Sequence, residues 1–138
     1  MSVATILIVE DNELNMKLTS SVPEACGHET IQLVDGSNFL ELVDERRPDL
    51  IVMDIQLPVW SGLELTKTLK SIQHLKHIPV IAVTAFAMRG DEQRIRKGGC
   101  DDYLAKPFSI PELRDMVSEH LERSTNKNQG SNDNEKRM

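Results

Sequence analysis

Five short apolar runs set the frame of this chain: Thr5 to Val9 (TILIV), Thr30 to Val34 (TIQLV), Leu50 to Met53 (LIVM), Val80 to Val83 (VIAV) and Tyr103 to Ala105. Each is of strand length, and several give way directly to Asp or Thr. Between and after them lie stretches with apolar residues at helical spacing: Leu14 to Ala25, Phe39 to Val43, Leu63 to Leu69, a more polar Gly90 to Lys97, and Leu113 to Leu121. Strands that are apolar throughout are those buried on both faces of a parallel sheet. Five alternations of strand and helix therefore predict an α/β fold, a (βα)5 doubly wound five-stranded parallel sheet with helices on both sides and right-handed crossovers. Ligands of such sheets bind outside the carboxyl ends of the strands, where the strand order reverses.

At 138 residues the chain is the size of one domain. The folded part is expected over 1–123. From Ser124 the sequence reads STNKNQGSNDNEKRM, with no apolar residue before Met138. Such a stretch cannot offset its ordering entropy by burial, so 124–138 is expected to be a disordered tail. Lys and Arg total 16 against 22 Asp and Glu, a formal net charge of -6, with no local basic cluster. Direct DNA binding is disfavoured. The start, MSVATILIVEDN, lacks a basic region and cleavage site, and no apolar stretch approaches membrane-spanning length, so a cytoplasmic protein without membrane insertion is expected. Cys26 and Cys100 lack metal spacing and read as ordinary buried thiols.

The residues at the strand ends carry the chemistry: Glu10 and Asp11 after the first, Asp54 after the third, Thr84 and Ala85 after the fourth, Lys106 and Pro107 after the fifth. Taken singly, each reads more plainly as a cap, a solvated turn or a surface charge. A parallel sheet would bring them to one edge, a pattern that capping does not require. Glu10, Asp11 and Asp54 would then repel one another unless a cation neutralised them, and an all-oxygen site suits magnesium. Asp54, at the end of a central strand, is the candidate nucleophile. A carboxylate attacking a phosphoryl group is an anion meeting an anion, so catalysis rests on positioning and charge neutralisation. Lys106 supplies positive charge, Thr84 a hydroxyl donor, and Ala85 a backbone N–H unobstructed by a large side chain.

These strings, ILIVEDNELN, PDLIVMDIQLPVWSGLE, IPVIAVTAFA and DDYLAKPFS, resemble the receiver domains of two-component response regulators over about residues 4 to 123. Their wording looks most like the DivK-type single-domain cell-division regulators. The resemblance implies a flavodoxin-like, CheY-like sheet of strand order 2-1-3-4-5 and a switch rather than an enzyme acting on a separate substrate. Such a protein accepts a phosphoryl group from a histidine kinase or a histidine phosphotransfer protein, catalyses its own phosphorylation and dephosphorylation, and signals to downstream protein effectors. Residue by residue, the resemblance implies Asp54 as phosphoacceptor, and Glu10, Asp11, Asp54 and the Gln56 carbonyl as magnesium ligands. It likewise implies Thr84 as switch hydroxyl, Tyr103 as switch aromatic, Lys106 as phosphoryl-binding cation and Pro107 as the proline of a cis peptide. Read without the resemblance, Tyr103 is a half-buried strand aromatic.

Pro23 falls late in the first helix, where it removes a hydrogen bond, so a kink or an early end near Val22 is expected. Trp60, in the loop after Asp54, reads either as a surface aromatic or as a partner contact. Gln56 and Phe86, each two residues past a site residue, are expected to flank the path of water to an aspartyl phosphate, the Gln amide orienting it and the Phe ring hindering it. Two other classes remain: a phosphatase with an aspartate nucleophile, which wants a second Asp where Gln56 stands, and a partner-binding scaffold that is never phosphorylated.

Overall fold

A computed structural model describes residues 3–57, 59–85 and 91–137; of residue 91 and of 124–137 it describes the backbone alone. The elements alternate as β1 (Thr5–Val9), α1 (Glu13–Ala25), β2 (Glu29–Leu33), α2 (Phe39–Arg46), β3 (Leu50–Asp54), α3 (Gly62–Ser71), β4 (Val80–Thr84), α4 (Asp91–Lys97), β5 (Asp102–Ala105) and α5 (Ile110–Arg137). The five strands form one parallel sheet in the order β2-β1-β3-β4-β5.

Strand side chains point alternately to opposite faces, and the core divides accordingly. Leu7, Val9, Ile51, Met53, Val80 and Ala82 pack with Phe39 and Val43 of α2, Leu65 and Leu69 of α3, and Ile95 of α4. Ile6, Ile8, Leu50, Val52, Ile81 and Val83 pack on the other face with Met16 and Val22 of α1 and Leu113 and Val117 of α5. Burying each such side chain contributes about 1.5–3 kcal/mol. The expectation of strands buried on both faces holds for β3 and β4, whose residues are all buried. β2, at the sheet edge, has Glu29 and Gln32 exposed.

Asn12 caps α1, its side chain accepting from the Asn15 N–H at 2.9 Å, and Glu13 lies in the first turn. The early end expected near Val22 does not occur: α1 runs on to Ala25 with Pro23 inside it. Val22 and Pro23 are both buried, so packing offsets the hydrogen bond that the ring removes, and the Pro23 carbonyl still accepts from the Cys26 and His28 N–H groups. The backbone of α5 is helical from Ile110 through Arg137. Cys100 is a buried thiol as expected, whereas Cys26, at the C-cap of α1, is exposed. No helix among the described residues is long and apolar enough to cross a membrane.

Candidate functional site

The strand order turns back between β1 and β3, which lie side by side with Val9 opposite Met53. The residues that follow are Glu10 on one strand end and Asp54 on the other. Ligand atoms of Glu10, Asp11 and Asp54 lie within 4.8 Å of one another. Glu10 and Asp54 are each 4% exposed, and Asp11 stands outside in solvent.

Each buried carboxylate is held by its own turn. The Asn12 N–H donates to Glu10 Oε2 at 3.0 Å, and the Gln56 N–H donates to Asp54 Oδ1 at 2.9 Å. The remaining oxygens face Lys106, whose Nζ donates to Glu10 Oε1 at 3.0 Å and to Asp54 Oδ2 at 3.3 Å. Lys106 is in turn tied to β4, its N–H donating to the Thr84 carbonyl at 2.7 Å.

Three carboxylates and one ammonium leave an excess of two negative charges. Burial pushes the Glu10 carboxyl above its ordinary range and the Asp54 charge adds to this, while the Asn12 N–H and Lys106 oppose it. Burial works against the Lys106 ammonium, yet the bond to Glu10 and the two carboxylate charges outweigh it and raise its pKa. A cluster of hard oxygen donors with uncompensated negative charge fits a divalent cation such as magnesium.

Thr84 is fully buried at the end of β4, and Ala85 follows it at the surface. The Ala85 N–H donates to the Gln56 carboxamide Oε1 at 3.2 Å, so that oxygen is engaged by the backbone. Lys106 and Pro107 are joined by a cis peptide. Tyr103 makes its contacts away from the acidic cluster: it is half-buried on β5, packs against the α2–α3–α4 face of the core, and has the Arg96 guanidinium 5.9 Å from its ring centroid. Trp60 is exposed, its Cβ and Cγ 2.9 Å from where a Cβ on Gly36 would lie. Phe86 lies outside the described residues.

Two supporting residues escaped the sequence reading. Asn12 both orients Glu10 through its N–H and caps α1 through its side chain. Its signal was an Asn before an acidic first turn, a capping pattern with no hint of the second task. Gly62 opens α3 directly behind Asp54: a Cβ there would lie 2.5 Å from the Ile55 Cα and 2.6 Å from the Asp54 carbonyl oxygen. Only a residue without a side chain admits that approach.

Residues 6–118 match the family of response regulator receiver domains. The polar-differentiation response regulator DivK of Brucella anthropi is 58% identical over 117 residues, or 85% of this chain and 95% of that protein. DivK of Brucella ovis is 57% identical over the same shares. Among solved structures, the receiver domain of sensor histidine kinase PA1611 from Pseudomonas aeruginosa has a magnesium ion coordinated in its active site cleft. It is 32% identical with a TM-score of 0.79, covering 87% of this chain and 98% of that one. The Francisella response regulator 1452 receiver domain is 31% identical with a TM-score of 0.81, covering 88% and 98%.

Proposed function

The chain belongs to the response regulator receiver family and is a phosphorelay response regulator, and from that premise we propose that Asp54 is its phosphoacceptor. The observation that carries this reading is the Lys106 ammonium bridging Glu10 and Asp54 inside a cluster of three carboxylates. A cation so placed can receive the charge of an arriving phosphoryl group.

The donor is a phosphohistidine on a histidine kinase or a histidine phosphotransfer protein. An Asp54 carboxylate oxygen forms the new O–P bond as the P–N bond breaks, and the bonding pair leaves with the imidazole, which takes up a proton. The Gln56 N–H and Lys106 hold the carboxylate in place for in-line attack, so the chain contributes positioning and charge rather than a base. A magnesium ion held by Glu10, Asp11, Asp54 and the Gln56 carbonyl would supply neutralisation of the phosphoryl oxygens. Thr84 and the Ala85 N–H are the donors that read the phosphoryl group once it is attached, and Tyr103 and Pro107 belong to the segment that responds. Downstream proteins read the changed surface. The relatives' naming as polar-differentiation regulators supports a role in cell-division or polarity control.

The test is transfer of radiolabel from a phosphohistidine-bearing donor domain. Label should move to this chain with magnesium, and should stay on the donor when magnesium is chelated or when the acceptor is Asp54→Asn. Transfer that survives either change would remove Asp54 or the metal from the mechanism.

A further inference from the structure

Gln56 grips the site at both ends. Its backbone N–H donates to Asp54 Oδ1 at 2.9 Å, and its side-chain Oε1 accepts from the Ala85 N–H at 3.2 Å. Ala85 directly follows β4, which pairs with β3 so that Val83 lies beside Asp54. The Ala85 N–H is thus a donor at the mouth of the acidic cluster, and it already has a neutral acceptor.

We propose that Gln56 is a competing positioning residue: its carboxamide oxygen occupies the Ala85 N–H in the unphosphorylated protein and is displaced when a phosphoryl oxygen on Asp54 takes that donor. The inference rests on Asp54 as phosphoacceptor and adds the side chain that sets how readily the phosphoryl-bound state forms. An anionic oxygen is the stronger acceptor, so the exchange runs forward. The bond to Gln56 must nevertheless be given up, and the net worth of one neutral hydrogen bond corresponds to about a two- to tenfold loss in affinity for the incoming group. Only the side chain has to move, because the Gln56 backbone is pinned by Asp54 and by its bridge to Ser61.

The experiment compares wild type with Gln56→Met, which keeps the length of the side chain without the acceptor, and with Gln56→Ala. Two quantities are read: hydrogen exchange of the Ala85 amide by NMR without ligand, and the Kd for beryllofluoride in the presence of magnesium. The Ala85 amide should be protected in wild type and exchange faster in both variants, and beryllofluoride should bind about two- to tenfold tighter to the variants. An unprotected Ala85 amide in wild type overturns the inference whatever the variants do. So does unchanged or weaker beryllofluoride binding in folded variants while wild type binds it. A wild type that takes up no beryllofluoride instead overturns the phosphoacceptor reading, and the inference falls with it.

Discussion

Asp54 and Glu10 are two nearly buried carboxylates sharing one ammonium, an arrangement that serves charge capture better than stability. Burial and the neighbouring Asp54 charge hold the Glu10 pKa above its ordinary value. A carboxyl raised in the folded state favours folding while protonated; that contribution is full below the unfolded value and is lost as pH rises through the folded value. With divalent ions chelated, wild type should therefore lose part of this stability between acid and neutral pH. Asp54→Asn, lacking the nearby charge, should lose less and be more stable at neutral pH by about 1 kcal/mol. Urea titrations across that range check this, and parallel curves for the two proteins would contradict it. The thiols offer a second check: burial pushes Cys100 up to about 11, while Cys26 is exposed. A thiol reagent at mildly alkaline pH should modify one cysteine in the native chain and the second only on unfolding. The charged members of the cluster were legible in the sequence because each ends a strand. The bond from Ala85 to the Gln56 carboxamide was not, since it depends on a rotamer and on two strands being neighbours.

At the scale of elements, the boundaries that sequence periodicity marks are those where burial changes abruptly. The apolar run of β1 coincides with the strand, and β3 and β4 extend by one residue into their functional ends, Asp54 and Thr84. Of the kink or early end expected at Pro23, the early end does not occur: proline disfavours a helix interior, but here tertiary packing overrode propensity in the last turn. Gly62 shows the opposite case, the first residue of a helix whose identity is dictated by what lies behind it. Gly62→Ala should displace the Asp54 segment and destabilise the fold by roughly 1–3 kcal/mol, measured by urea unfolding, and should slow phosphorylation with it. Full stability in that variant would show that the β3–α3 turn can shift freely.

Across the whole molecule, one parallel sheet places residues distant in sequence at a single edge: Lys106 reaches Glu10 across 96 positions and Asp54 across 52. The doubly wound parallel sheet was legible because alternation of strand and helix leaves few ways to bury both faces, whereas its strand order followed from the family resemblance. Residues 124–137 carry no apolar side chain that could pack on that fold. Truncation after Arg123 is expected to leave the Tm and phosphorylation unchanged, and a drop in Tm of several degrees would assign the segment a packed role. The phosphoacceptor itself is put to the test by intact-protein mass after incubation with acetyl phosphate, with and without magnesium, on wild type and Asp54→Asn. Wild type should gain the mass of one phosphoryl group only when magnesium is present, and the variant should gain none. A folded wild type that gains nothing, or a variant that gains the same mass, would contradict the assignment.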